Sequence, residues 1–180
     1  MPNYIRAFVP GGTFFFTVNL LERRRRLLTD YIDDLRIVFT DASHCRPFTI
    51  DVIVVLPDQL HSVWTLPVGD GDFSTRWYDI KARFSARFSV RIPKHERLSR
   101  RRARVGGERG IWQRRFWEYR IRDEGDLQRP IDYVHYNPVK HGHVSRLIDR
   151  PYSSFHRYVK AGLYQPHWAA DDVVKALALA

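Results

Sequence analysis

Three runs of aromatic and β-branched residues within the first 66 positions, each bounded by turn-forming residues, commit the chain to a sheet. Thr13–Leu20 (TFFFTVNL) follows the turn pair Gly11–Gly12 and reads as a buried strand. Phe48–Leu56 (FTIDVIVVL) reads as a second strand, closed by Pro57–Asp58, and His61–Leu66 (HSVWTL) as a third, so these two form an antiparallel hairpin. Between the first two strands, Leu28, Ile32, Leu35, Val38, Phe39 and Ala42 recur at helical spacing, with Thr29 or Asp30 as the cap. Ser74 caps a second predicted helix, with Trp77, Ile80, Phe84 and Phe88 on one face and Arg76, Arg83 and Arg87 on the other. Pro93–Gly110 is rich in Arg and Gly without periodicity and reads as a loop, and Ile111–Arg122 (IWQRRFWEYRIR) as a fourth strand. A third helix is predicted from Asp126 to Tyr136, stopped by Asn137–Pro138.

The resulting order, β-α-β-β-α-β-α, matches the split βαβ, ferredoxin-like plan: an α+β fold with an antiparallel sheet and helices packed on one face. A tail from His141 onward follows, which the pattern does not place. One domain is expected over residues 1–168, with a basic insertion at about 91–110, and residues 169–180 as a terminal tail. A chain of 180 residues buries a core without covalent staples, and five Trp, nine Tyr and eleven Phe supply bulky filling. The single cysteine, Cys45, excludes an intrachain disulfide and a multi-cysteine zinc site. No apolar run approaches a membrane span and the N-terminus lacks the apolar stretch of a signal peptide, so a cytoplasmic protein with no membrane partner is expected.

Charge narrows the partner. The net charge is +10, and positions 91–122, with twelve basic and three acidic residues, carry nearly all of it. A positive field this concentrated suits a polyphosphate, because each neutralised phosphate releases condensed counterions. Arginine outnumbers lysine, which favours forked contacts to phosphate and guanine edges. The cluster Arg100, Arg101, Arg102 and Arg104, the pair Arg114 and Arg115, and the helix face Arg76, Arg83 and Arg87 are the candidate phosphate contacts. Trp112, set among arginines with Phe116 and Trp117, is a candidate platform for unpaired bases.

Two further segments carry groups that can do chemistry. In Leu56-Pro57-Asp58-Gln59-Leu60-His61, alternation along a strand puts the amide of Gln59 and the imidazole of His61 on one side. In Asp132-Tyr133-Val134-His135-Tyr136-Asn137-Pro138, Tyr133 and Asn137 are four apart and share a helix face, whereas His135 points elsewhere. Composition and spacing by themselves stop at a basic α+β domain that binds nucleic acid.

The five segments GGTFFFTVNLLERR, RPFTIDVIVVLPDQLHSVWTLP, DFSTRWYDIKARFS, ERGIWQRRFWEYRIRDEGDLQRPIDYVHYNPVKHG and PYSSFHRYV, in collinear order over roughly residues 4–168, strongly resemble the REP-associated tyrosine transposases, which belong to the HUH single-strand endonucleases. That resemblance implies a ferredoxin-like sheet, a nucleophile at Tyr133, and a metal site built from His61, Asn137 and the position of Gln59, where the family pattern has histidine. It also implies a partner: single-stranded DNA folded as an imperfect hairpin, as in the repetitive extragenic palindromes of bacterial chromosomes, with the protein associated with the nucleoid. Neutral nitrogen and oxygen donors on an open site suit Mg²⁺ or Mn²⁺. An unperturbed phenol titrates near ~10, so a tyrosine nucleophile needs a nearby positive field at neutral pH. Attack on DNA would leave a 5′-phosphotyrosine and a free 3′-hydroxyl. The expected activity is cleavage and rejoining of single-stranded DNA beside a hairpin. The alternative is a hairpin-binding protein whose catalysis Gln59 has weakened or removed. A monomer is expected rather than a dimer, with the tail after His141 holding the chain by itself.

Overall fold

The computed structural model describes residues 8–91 and 111–168, with the side chains of residues 89–91 excepted. The cluster Arg100, Arg101, Arg102 and Arg104 and the tail 169–180 lie outside the described residues. The elements are β1 (Thr13–Asn19), α1 (Leu27–Asp30), α2 (Ile32–Cys45), β2 (Thr49–Val55), β3 (Gln59–Thr65), α3 (Phe73–Arg91), β4 (Trp117–Ile121), α4 (Glu124–Lys140), a 3₁₀ turn (Leu147–Asp149) and α5 (Phe155–Lys160). The four strands form one antiparallel sheet in the order β2-β3-β1-β4, which is the expected α+β, ferredoxin-like arrangement.

The aromatic run of β1 divides between two faces because successive side chains alternate. Phe14, Phe16 and Val18 join Leu60 and Trp64 of β3 in a core closed by α2 and α3. There Trp64 stacks on Trp77 of α3, with ring centroids 4.2 Å apart. Phe15 points the other way and joins Val52, Val54 and Val63 in a second core, closed by Ile131 and Val134 of α4 and by Leu147, Phe155 and Tyr164. Helices on one face were expected. The structure adds a second layer, because α4 and the segment after it cover the opposite face. Both faces of β3 are therefore covered, and it is buried from Gln59 to Trp64.

The C-terminal segment also closes the outer edge of β2. The Val55 amide donates to Tyr152 O and the Ser154 amide to Ile53 O, each at 2.8 Å, so residues 152–154 occupy hydrogen-bonding positions along that edge. This is the placement that the sequence pattern of the tail did not provide.

Four details differ from expectation. Helix α4 does not stop at Asn137–Pro138 but runs one turn further, with Pro130 and Pro138 inside it. It ends where Gly142 takes a positive φ of 67° and donates to Val139 O, while His143 donates to Pro138 O, so the glycine rather than the proline is the stop. The predicted strand Ile111–Arg122 is a strand only from Trp117 to Ile121, and Trp112 makes an isolated bridge to Leu20. Trp112 is 2% exposed and packs against Phe84, so it fills the core and offers no stacking surface. Arg76, expected to face phosphates, is 1% exposed and donates to Pro47 O, Asp72 O, Arg46 O and the Asp70 carboxylate.

That last network predicts a stability effect. Arg76→Met would strand three carbonyl oxygens and one partly solvated carboxylate, and it is expected to destabilise the fold by about 2–4 kcal/mol. Urea denaturation measures it; a change under about 0.5 kcal/mol, the range of ordinary surface substitutions, would show the guanidinium to be dispensable.

Candidate active site

Helix α4 starts at an Asp123 cap, whose Oδ1 accepts from the Asp126 amide at 2.9 Å. Its buried residues Ile131, Val134 and Pro138 seat it on the sheet. That seating turns Tyr133 and Asn137 toward β3 and β1. The Tyr133 ring meets the His61 ring edge-on at 5.9 Å and the Phe15 ring at 5.8 Å. Its hydroxyl lies 3.4 Å from Lys140 Nζ, which also sits 5.2 Å from the ring centre. Because the helix continues past Pro138, Tyr133, Asn137 and Lys140 fall at i, i+4 and i+7 on one face.

His61 is 3% exposed, and its Nδ1 lies 2.8 Å from Thr17 Oγ1. Burial pushes the imidazole down to about 3, helped by the positive charges of His141, Lys140 and Arg23, so the ring is neutral at physiological pH. Asn137 adjoins the ring and acts against that lowering, yet neither His61 Nε2 nor Asn137 Oδ1 completes a hydrogen bond. The tautomer that donates from Nδ1 to Thr17 leaves the Nε2 lone pair free. In that tautomer two buried acceptors lie side by side without donors, which is costly unless something positive meets them. A hard or borderline cation fits that requirement, with one imidazole nitrogen and one amide oxygen as donors.

Gln59 follows His61 by strand alternation on the same face and is 5% exposed. Its Oε1 already accepts from Arg23 at 3.2 Å, and Arg23 is also paired with Asp58 at 2.7 Å. Among the described residues no three His, Cys, Asp or Glu side chains cluster, so a cation here would rest on this His and amide set.

The structure brings Tyr133, His61 and Asn137 together, sets Gln59 on the face of β3 that carries His61, and leaves the α3 arginines apart. Helix α3 lies on the opposite face of the sheet, where Arg87 pairs with the buried Asp34 at 2.9 Å and Arg83 reaches Cys45 Sγ at 3.6 Å. Arg87 is thus engaged in an ion pair on that face. Arg114 and Arg115 are exposed in the segment before β4. His135 is fully buried, with Nε2 3.1 Å from Ser154 Oγ and its ring among Phe155, Tyr158 and Tyr164. Sequence reasoning missed Lys140, Thr17 and Arg23. Lys140 was hidden by ending the helix too early, and the other two by depending on strand register and on a loop contact.

Fold and site together define an antiparallel α+β domain that presents a tyrosine, a neutral histidine and an amide on one sheet face, in a strongly basic chain. No family model matches the chain. The REP-associated tyrosine transposase of Escherichia coli K12 is 44% identical over 171 residues, covering 95% of this chain and 93% of the relative. A relative from Haemophilus influenzae, described by the same family name, is 42% identical over 97% of each chain. A solved structure of a REP-associated tyrosine transposase bound to a REP hairpin superposes with a TM-score of 0.82 at 44% identity, covering 95% of this chain and 93% of that one. The chain belongs to the REP-associated tyrosine transposases.

Proposed function

We propose that this transposase binds hairpin DNA of the repetitive extragenic palindrome type, and cuts and rejoins the single strand beside it through Tyr133. The reading is carried by one observation: two buried side-chain atoms without a hydrogen-bond partner, His61 Nε2 and Asn137 Oδ1, adjoin the face that holds the Tyr133 ring. They fit a divalent ion, Mg²⁺ or Mn²⁺, with Gln59 as the third donor; such an ion supplies charge that polarises the scissile phosphate. Tyr133 Oη loses its proton and bonds to phosphorus, the bond from phosphorus to the 3′-oxygen breaks, and that oxygen takes up a proton as the free 3′-hydroxyl. The 5′-phosphotyrosine keeps the phosphodiester energy, so the reverse step rejoins strands without a nucleotide cofactor. Lys140, 3.4 Å from Oη, stabilises negative charge as it gathers on that oxygen. The exposed Arg114 and Arg115, with the arginine cluster at 100–104, supply phosphate contacts.

A second reading, hairpin binding without cleavage, is favoured by the Arg23 contact, which puts a guanidinium on the oxygen that Gln59 would offer a metal. The two separate in one experiment. A REP-type hairpin with a single-stranded flank is incubated with the protein and Mn²⁺, Mg²⁺ or EDTA. Cleavage predicts a covalent adduct, stable to denaturant, that EDTA removes; a shifted but uncut hairpin under all conditions supports binding alone. The closed edge of β2 supports a monomer, because sheet extension with a second copy at that edge would first have to displace residues 152–154. Work on chromosomal hairpins would place the protein in the cytoplasm, on the nucleoid. Among the described residues, no helix is long and apolar enough to cross a membrane.

A further inference from the structure

Trp117 is a large aromatic side chain left 58% exposed on the sheet face that holds the candidate active site. The register explains its position. Thr17 of β1 lies opposite His61 of β3 on one side and opposite Trp117 of β4 on the other, so His61, Thr17 and Trp117 form a row across three strands. Two strand spacings put Trp117 about 10 Å from His61. Counting about 3.4 Å per stacked nucleotide, that span covers three nucleotides, or fewer in an extended strand.

The surroundings of Trp117 are built for a flat ligand. Its ring lies parallel to that of Tyr119, with 8° between planes and 6.2 Å between centroids, and meets Phe15 edge-on at 5.4 Å. Phe15 in turn touches the Tyr133 ring, so one aromatic floor runs from the exposed indole to the candidate nucleophile. Above it opens a cleft of about 580 Å³, lined by Phe15, Thr17, Trp117, Tyr119, Pro130 and Tyr133 with Arg129 and Asp126, whose carboxylate accepts from the Tyr119 hydroxyl at 2.8 Å and pairs with Arg122. Arg129 stands exposed at its rim with no carboxylate partner among the described residues. An apolar aromatic floor with a cation at the edge matches a nucleotide, with the base on the floor and its phosphate at the rim.

We infer that this cleft binds an unpaired nucleobase of the strand being cut, stacked on Trp117 within about three nucleotides of the scissile phosphate. The inference rests on the proposed single-stranded DNA substrate and adds where the protein grips it. Stacking holds the strand in line with Tyr133, so the base at this position sets the register of cleavage. The platform expected at Trp112 in sequence is thus at Trp117, five residues on, where the strand turns its side chain outward.

The test is a double-mutant cycle read in binding, independent of cleavage. Hairpin oligonucleotides carry a single abasic site at successive positions of the single-stranded flank, and affinities are measured for wild type, Trp117→Ala and Trp117→Phe in EDTA. At one position the missing base is expected to weaken wild-type binding about tenfold or more. Trp117→Ala should weaken binding of the intact flank by a similar factor and lose all further sensitivity to the abasic site there, while Trp117→Phe keeps most of it. If every abasic penalty is the same in wild type and Trp117→Ala, the platform is wrong, although the hairpin reading stands. If wild type binds none of the hairpins, both fail. An unchanged thermal midpoint for Trp117→Ala shows that the loss is not one of folding.

Discussion

Tyr133→Phe is expected to reduce the covalent protein–DNA adduct to below detection while changing hairpin affinity by less than about twofold. The hydroxyl is the only group removed, and in the resting protein it meets Lys140 Nζ at 3.4 Å. The ring keeps its contacts with Phe15 and His61, so the fold should lose less than about 1 kcal/mol. Affinity should survive, because phosphate contacts rather than a single hydroxyl dominate protein–DNA affinity. Mass spectrometry of the wild-type adduct should place the DNA on the peptide that carries Tyr133. Nicking by the Phe variant at more than a trace rate would remove Tyr133 from the mechanism. Tyr136, three residues along the same helix, would be the next tyrosine to examine.

The sheet was legible because its strands are short runs of aromatic and β-branched residues between turns, and local pattern decides such elements. Helices α2 and α3 were legible for the same reason: their apolar residues recur at the period that the structure buries. Side chains whose role depends on distant backbone were not. Arg76 sits where an exposed cation would sit on a helical wheel, but its acceptors include Arg46 O and Pro47 O, about 30 residues away. Trp112 and Trp117 look alike in a run of arginines. Only the ladder to β1 and the packing of Phe84 put one inside and the other outside. For the site, strand alternation correctly joined Gln59 to His61, and helical spacing joined Tyr133 to Asn137. The error at Pro138 concealed Lys140, because Gly142, the real terminator, lay one turn beyond the apparent one.

Gln59 stands where the family resemblance implies a histidine, and its surroundings make the difference testable. Gln59 and His61 share a face of β3, and the Gln59 amide oxygen is held by Arg23, a cation that competes with any metal for that oxygen. Gln59→His replaces the amide with an imidazole nitrogen, a stronger donor for Mn²⁺, on a strand that already aims the side chain at the site. Arg23 keeps its 2.7 Å pair with Asp58, so its charge is not stranded by the change. The expected result is tighter Mn²⁺ binding by calorimetry and nicking faster by at least about tenfold, equivalent to about 1.4 kcal/mol of transition-state stabilisation. His61→Ala is the control and should abolish metal-dependent cleavage in both backgrounds, because it removes the imidazole whose Nε2 has no hydrogen-bond partner beside Asn137. Unchanged affinity and rate in Gln59→His would mean that the glutamine already serves fully or that the metal binds elsewhere. If wild type and Gln59→His both bind hairpins yet cut none, the non-catalytic reading prevails. A tightened Mn²⁺ site in that case would place the defect beyond the metal, in Tyr133 or in the charge that Lys140 supplies to it.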